Sequence, residues 1–261
     1  MKEYSFAADI NQRIVDGILH GYKNYIRERN EKRNLMKISD AYAWVKGNHI
    51  DDQTATYCEE VGISYKKAKA GYTWGYLQFS SLEERSMFII KNAKYFNIEN
   101  VPGGKGIKGN KQKSAYEDNY LRKLSKINTK INFPEKHTLF SGHQDILSIF
   151  DDSVMKSLEQ GEEVRLQQEY DKFYIVTYEI DEAFMISKIQ VWMPNPATNE
   201  AHEVEDLTRF VDISPIDFMD IDTSVLENDH AGYDNEIASI ADYGIVHDNQ
   251  IIQNEKGDNK S

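Results

Sequence analysis

The sequence lacks the features that place a protein in a membrane, in a secretory pathway or in a disulfide-bonded fold. It has one cysteine, Cys58, which excludes an intramolecular disulfide and a cysteine-rich zinc site. The first residues, MKEYSFAADINQ, do not contain the apolar centre of a signal peptide. No apolar run approaches the roughly 18 residues that a membrane-spanning helix needs. We therefore expect a soluble, cytoplasmic protein with no membrane partner.

Basic and acidic residues are distributed very unevenly along the chain. Residues 1–140 carry 24 lysines and arginines against 16 acidic residues, whereas residues 141–261 carry 7 against 27. This asymmetry indicates contact with a polyanion at one end of the chain and an acidic segment at the other. The alternative is that both parts are solvated surfaces that differ only in charge.

The spacing of apolar residues predicts a helical N-terminal part. Over about 8–30 an apolar residue recurs every four positions, at Ile10, Ile14, Ile18 and Tyr22. This spacing predicts an amphipathic helix with one side on a core. A second short helix is predicted over SDAYAWVK, residues 39–46.

Two capping boxes predict further helices. Residues 81–84, SLEE, place a serine three residues before a glutamate, and residues 114–117, SAYE, do the same. In each, the hydroxyl can accept from a first-turn amide while the glutamate reaches back. The predicted helices run to about Phe96 and about Ile127. Between them, residues 101–113, VPGGKGIKGNKQK, have no apolar periodicity and predict a loop.

The chain changes character after Pro134. Residues 145–161 predict a helix that ends at Gly161. Two β-rich runs come next, FYIVTYEI at 173–180 and AFMISKIQVWM at 183–193. They predict an antiparallel hairpin joined at Asp181–Glu182 and ended by prolines.

These patterns predict an α+β fold in three parts. Residues 1–133 form a mainly helical, basic domain that includes a short aromatic strand. Residues 134–205 form an α+β part with a helix and the antiparallel β-hairpin. Residues 206–261 form an acidic, partly disordered tail.

Residues 56–79, TYCEEVGISYKKAKAGYTWGYLQF, are open to two interpretations. In the first, Gly62 is the turn of a helix-turn-helix, and SYKKAKAGY is a recognition helix that presents Lys66, Lys67 and Lys69. In the second, Gly62 ends a helix and the chain continues as a strand. Gly71 would cut the recognition helix short, and the aromatic residues after it alternate as in a strand. The second interpretation is favoured, and the first stays open.

The lysines of the basic part suggest a nucleic-acid partner, or a protein that handles nucleic acid. The candidate contacts are Lys66, Lys67, Lys69, Lys105, Lys108, Lys111, Lys113, Arg122, Lys123 and Lys126. Together with neighbouring aromatics they suit single-stranded and duplex nucleic acid. The loop at 103–114 does not match a phosphate-binding motif, because Asn110 and Lys111 occupy the positions of its lysine and hydroxyl.

The acidic end has three possible tasks. Residues 204–261 carry 3 basic against 14 acidic residues. The segment can dock back over the basic part, or it can simply keep the protein in solution. It can also imitate a polyanion in a basic groove of another protein through Asp217, Phe218, Asp220, Asp222, Glu227 and Asp229.

The evidence for an enzyme is weak. Glu179, Asp181 and Glu182 could assemble a Mg²⁺ site, because hard cations prefer carboxylates. Such acids at the tip of a hairpin are more often solvated. His137 and His143 match no metal-ligand spacing. We expect no metal site and no cofactor.

Two stretches resemble small uncharacterised cytoplasmic proteins of bacterial chromosomes and prophages. They are SDAYAWVKGNHID at 39–51 and GYTWGYLQFSSLEERSMFIIKNAKYF at 71–96. The resemblance implies a bacterial or phage origin and no activity. We therefore predict a non-enzymatic binding or regulatory protein of nucleic-acid metabolism or of host–mobile element conflict. The alternatives are a metal-dependent nuclease and an acidic inhibitor that mimics nucleic acid.

Overall fold

The computed structural model describes residues 1–70, 74–103, 119–134 and 164–230. Two long helices come first, α1 (Ala8–Leu35) and α2 (Lys46–Glu59). Shorter α-helices cover Tyr120–Ser125, Thr208–Asp212 and residues 164–169. The described 3₁₀ segments are Lys2–Tyr4, Asp40–Val45, Ala93–Tyr95, Val101–Gly103, Lys126–Lys130 and Ser224–His230. None of the helices in this part of the chain combines the length and the hydropathy of a membrane-spanning segment.

The described strands form one six-stranded sheet. They are β1 (Ser64–Ala70), β2 (Trp74–Ser81), β3 (Ser86–Asn92), β4 (Lys172–Ile180), β5 (Ile186–Pro194) and β6 (Ala201–Asp206). Their order in the sheet is that of the sequence, β1-β2-β3-β4-β5-β6. All neighbours are antiparallel except β3 and β4, which are parallel and begin their pairing at Ser86 and Lys172. The α+β class is confirmed, with a sheet much larger than the predicted hairpin.

Each face of the sheet has its own hydrophobic core. On β4, Tyr174 and Val176 point towards α1 and α2, while Phe173 and Ile175 point to the opposite side. The short helix Tyr120–Ser125 and the segment Lys126–Lys130 cover that second side. We call the two sides the α1 face and the opposite face. Burial on both faces explains why β3 and β4 are continuous apolar runs rather than alternating ones.

Close packing of α1 on α2 depends on two glycines. A Cβ atom at Gly17 would lie 2.4 Å from the Cα atom of Thr54, and one at Gly21 would lie 2.4 Å from the carbonyl oxygen of His49. Backbone occupies the space in both cases, so a larger residue would push the helices apart. α1 is the predicted amphipathic helix, and its four predicted apolar residues are all buried. It continues to Leu35, five residues further than expected.

The helix predicted from the capping box at 81–84 is wrong. The backbone amide of Glu84 does donate to the hydroxyl of Ser81, at 3.2 Å. However, this bond closes the turn between β2 and β3, where Arg85 has a φ of 47°. Met87, Phe88 and Ile89 then form a strand buried on both faces. The local hydrogen bond is the one predicted, but long-range pairing with β4 makes the next residues a strand.

The favoured interpretation of residues 56–79, a helix that ends at Gly62 and continues as a strand, is confirmed, and the helix-turn-helix interpretation is wrong. α2 ends in a Schellman motif, in which Ile63 N–H donates to the Cys58 carbonyl and Gly62 N–H donates to the Glu59 carbonyl. Gly62 has a φ of +76°, which glycine adopts without strain. The chain then enters β1, so the predicted recognition helix is a strand. Cys58 is fully buried, and burial raises the pKa of its thiol to about 12.

Other predictions are confirmed or corrected by the strand pairing. β4 and β5 form the predicted antiparallel hairpin around Asp181. β5 ends at Pro194 as expected, but the chain returns to the sheet as β6. Since β3 pairs with β4, the sheet crosses the boundary predicted at 133/134. The helices predicted to begin at residues 114 and 145 start outside the described residues, and Asn119 caps the short helix at Tyr120.

Candidate functional site

Three of the candidate lysines lie on a two-stranded hairpin that extends past its neighbouring strand. β1 and β2 pair from Ser64 with Ser80 to Ala70 with Trp74. β2 pairs with β3 only over residues 79–81. The five outer pairs of the hairpin therefore have no third strand beside β2 in the described part of the chain. We call β1 and β2 the lysine hairpin.

The lysines lie on both faces of this hairpin and are exposed. Lys67 pairs with Leu77, which packs against the α1-face core, so Lys67 lies on that face, and Lys69 comes two residues later on the same face. Lys66 alternates with them and lies on the opposite face, where Tyr76 also packs. All three lysines are exposed. Lysines along an edge strand also prevent pairing with another chain, which is the ordinary structural reason for such a pattern.

A carboxylate from α2 supports the lysine hairpin where β2 leaves β3. The backbone amide of Leu77 donates to Asp51 Oδ2 at 2.9 Å. Asp51 is partly exposed as a residue, but its carboxylate lies inside the protein. Burial raises the pKa of Asp51 to about 7, against the smaller, opposite effect of the Leu77 bond. Asp51 thus takes the place of the missing strand partner.

The other described basic candidates lie on the helix Tyr120–Ser125, which packs against this hairpin, and at the start of the 3₁₀ segment after it. Tyr76 of β2 contacts Tyr120 with ring centroids 5.1 Å apart. Lys91 Nζ lies 3.1 Å from the Tyr120 hydroxyl. The same short segment carries the half-buried Arg122, Lys123 and Lys126. The structure therefore joins this segment to the lysine hairpin, whereas Lys105, Lys108, Lys111 and Lys113 lie outside the described residues.

The first half of the acidic tail is part of the fold. Residues 213–226, which we call the acidic strap, run along α1 in the same direction as the helix. Ser214 donates to Asp16 at 2.6 Å, and Lys23 donates to the Asp217 carbonyl at 2.5 Å. Further along, Asn30 donates to the Asp222 carbonyl at 2.6 Å. Asp16, Lys23 and Asn30 are seven residues apart, so they lie along one side of α1.

Most of the described residues that were predicted to bind a partner already make contacts within the protein. Phe218 packs on Tyr22 with ring centroids 6.0 Å apart. The Asp222 carboxylate accepts a hydrogen bond from the Arg33 guanidinium at 3.2 Å and one from the backbone amide of Ser224 at 3.0 Å. These bonds hold the pKa of Asp222 below its usual value, the Ser224 bonds contributing most. Asp220 and Glu227 are exposed, and the side chain of Asp229 is outside the described residues.

A cleft of about 500 Å³ opens where β3 ends beside β4. Its floor is apolar and includes Phe96 and Trp192, with ring centroids 5.8 Å apart. The Trp192 indole donates to the Thr177 hydroxyl at 2.9 Å, which fixes the ring. Charged side chains line the rim, namely Lys46, Lys94, Glu179, Asp181 and Glu182. A cleft outside the carboxyl ends of parallel strands is a common ligand position in α/β sheets.

The three carboxylates proposed for Mg²⁺ lie together at this rim without forming a metal centre. Asp181 Oδ1 accepts from the backbone amides of Ala183 and Met185, both at 2.9 Å. The carboxylate therefore caps the β4–β5 turn. In the described ranges, no three His, Cys, Asp or Glu side chains are placed to hold a metal ion. His137 and His143 are outside those ranges.

The sequence analysis missed Asp51 and the floor of the cleft. Asp51 stands in a polar helix with no pattern that sets it apart, and only the position of β2 explains its role. The sequence predicted that Trp192 lies on a strand. It could not predict the contact with Phe96, because the two residues are far apart in the chain. No protein-family model, no curated protein and no solved structure matches the chain.

Proposed function

We propose that this is a non-enzymatic protein that binds nucleic acid through the lysine hairpin. The observation that carries the proposal is the position of Lys66, Lys67 and Lys69 on the five outer pairs, beyond the end of the β2–β3 ladder. A two-stranded β-ribbon fits the major groove of a duplex, and lysines on both faces can reach phosphates on both sides. The role is in nucleic-acid metabolism or its regulation, in a bacterial or phage setting.

The contacts around the hairpin support this proposal. Asp51 and Tyr120 support β2 at Leu77 and Tyr76, so the ribbon is braced from two elements. The brace from Tyr120 also places Arg122 and Lys123 on the element next to it. A rigid support lets the lysines bind with less loss of conformational freedom.

The two alternatives have less support from the described residues. Asp217 and Asp222 of the proposed mimic are bonded within the chain. Asp181 of the proposed nuclease site is bonded to turn amides. Neither observation favours a second function.

The test measures binding of the full chain to fluorescein-labelled duplex and single-stranded DNA by fluorescence anisotropy at several salt concentrations. Replacing Lys67 and Lys69 together by Ala removes two cations from one face of the hairpin. We expect affinity to fall about tenfold and the salt slope to fall by about two, one for each lost phosphate contact.

The matched control replaces Lys2 and Lys37 by Ala, because both are exposed and neither belongs to β1 or β2. It changes the net charge equally, so it should lower the affinity much less. Equal losses in the two double variants would show that binding depends on net charge and not on the hairpin. No binding by the unmodified protein at low salt would end the proposal.

A further inference from the structure

The cleft at the end of β3 has the size of a small-ligand site, and nothing in the proposed nucleic-acid function uses it. Its volume of about 500 Å³ lies within the range of ligand pockets. β3 ends at Asn92, the partner of Tyr178, and β4 continues for two residues beside β5. The cleft begins at this step in the sheet.

The floor of the cleft is apolar because its polar atoms bond within the protein. The Trp192 indole donates to Thr177, and the Tyr22 hydroxyl donates to the Phe184 carbonyl at 2.9 Å. Phe96 completes the floor beside Trp192, on the opposite face, whereas Tyr22 and Leu226 line the cleft from the α1 face. Phe96 and Leu226 are almost fully buried. A ligand would therefore place an apolar group here, where few polar atoms are left to compete for it.

Opposite charges line the two sides of the rim. Lys46 Nζ lies 5.4 Å from the centroid of the Tyr25 ring, and Lys94 Nζ lies 5.8 Å from that of the Tyr95 ring. Both tyrosines interact electrostatically with Tyr178, so we assign the two cations to one side. Glu179 and Glu182 belong to the β4–β5 hairpin on the other side, and both are exposed. Asp181 lies between them but is bonded to turn amides.

This division of charge selects among ligand classes. A nucleotide or another polyanion would be attracted by the lysines and repelled by the glutamates in the same small cleft. A polyamine would be attracted by the glutamates and repelled by the lysines. A ligand with one carboxylate, one ammonium and an apolar group between them matches both sides of the rim and the floor.

We infer that the cleft binds a zwitterionic peptide of two or three residues with a large apolar side chain. Its carboxylate faces Lys46 and Lys94, its ammonium faces Glu179 and Glu182, and its side chain lies on the floor beside Trp192. A volume of about 500 Å³ corresponds to a width of about 8 Å, the length of two to three extended residues. A free amino acid has its two charges too close together to reach both sides.

The experiment titrates the full chain with the dipeptide Leu-Phe by isothermal titration calorimetry. The same dipeptide with an amidated carboxylate, or with an acetylated amine, lacks one charge in turn. We expect each blocked form to bind at least tenfold more weakly than the zwitterion. Free phenylalanine and adenosine monophosphate should also bind more weakly.

Variants then assign each charge to its side of the rim. Lys94→Gln should abolish the preference for a free carboxylate and keep the preference for a free ammonium. The double variant Glu179→Gln, Glu182→Gln should abolish the preference for a free ammonium and keep the preference for a free carboxylate. Lys37→Gln and Glu83→Gln are the matched controls, because both residues are exposed and outside the cleft lining. They should leave both preferences unchanged.

Several results would overturn the inference. One is the absence of binding by Leu-Phe at 10 mM, a concentration about a hundredfold above that of an ordinary weak ligand (about 0.1 mM). Tighter binding of free phenylalanine or adenosine monophosphate would reject the proposed ligand class. Rim variants that behave as their controls would reject the site. A melting curve of each variant identifies any that fails to fold, and the exposed Lys94 carries the test on its side of the rim.

Discussion

The lysine hairpin and the acidic strap each contain closely spaced charged residues of one sign, but these residues differ in what they contact. In the hairpin, Lys66, Lys67 and Lys69 are exposed on an edge strand. In the strap, Asp217 and Asp222 lie against cations of α1. The sequence shows a charged segment in both cases. Only the structure shows that the carboxylates of the strap, although exposed, are paired with cations of α1.

The apolar residues between the charges explain this difference. The strap carries Phe218, Val225 and Leu226, which pack into the α1-face core. Between the lysines of the hairpin there is only Ala68. A charged segment with regularly placed large apolar residues can bury them and become part of a fold, whereas one without them stays at the surface. This distinction can be tested by asking which segment the protein needs for stability.

The largest effect is expected from truncating a buried side chain of the strap. Leu226 is 3% exposed in the α1-face core. Leu226→Ala should lower the free energy of unfolding by about 2–5 kcal/mol, because it leaves a cavity that the core fills only in part. This change in the free energy of unfolding is measured by chemical denaturation of the full chain.

The control is the exposed neighbour, Glu227→Ala, together with Lys67→Ala in the hairpin. Surface changes of this kind usually stay within about 0.5 kcal/mol. If Leu226→Ala is as mild as these two, the strap is only loosely attached and the comparison fails. If Lys67→Ala is as costly as Leu226→Ala, the hairpin lysines stabilise the fold and the contrast with the strap is lost.

A smaller effect concerns how the hairpin is held. The pKa of Asp51 is raised from 3.8 to about 7 in the folded protein. Between those values the folded state binds more protons than the unfolded state, so stability should fall as pH rises from about 4 to 7. A rise of the pKa from 3.8 to about 7 corresponds to at most about 4 kcal/mol, and partial exposure of the residue reduces this to about 2 kcal/mol.

Asp51→Asn tests this directly, because the amide oxygen can still accept from Leu77 and does not ionise. As the pH rises from 4 to 8, the unmodified protein should lose stability relative to the variant, so the variant's free energy of unfolding should rise relative to that of the unmodified protein. Asp52→Asn, an exposed neighbour, should show no such change. A constant difference for Asp51→Asn across this range would mean that its carboxylate is solvated and not part of the support of β2.

The elements that the sequence predicted correctly are those with local causes. The four-residue spacing in α1, the glycine that ends α2 and the turn at Asp181 each depend on residues close together in the chain. The same holds for the hydrogen bond of the Ser81 capping box, which exists as predicted. The capping box could not show whether a helix or a turn comes after it.

The elements that were missed have distant causes. β3 is a strand because Ser86 pairs with Lys172, far along the chain. β6 returns to the sheet through a turn after the prolines that were expected to end it. Of the candidate site, the lysines of the hairpin were proposed from the sequence because they are closely spaced, and their binding role stays a prediction. Their support by Asp51, and the cleft beside Trp192, depend on contacts between distant segments and had no local signal.

The smallest effect concerns which bond lowers the pKa of Asp222 in the strap. The hydrogen bonds from Ser224 contribute most, and those from Arg33 contribute less. Because the pKa is lowered, this attachment is present at neutral pH and weakens as pH falls through the Asp222 pKa. Ser224→Ala should therefore raise the Asp222 pKa, measured by NMR titration of its carboxyl carbon, more than Arg33→Ala does. A larger rise with Arg33→Ala would mean that the strap is held to α1 by long-range charge, as an exposed ion pair would be, and its attachment should then weaken with added salt. With the expected order, the strap keeps its place in high salt, because a turn within its own backbone and its buried apolar residues fix it there.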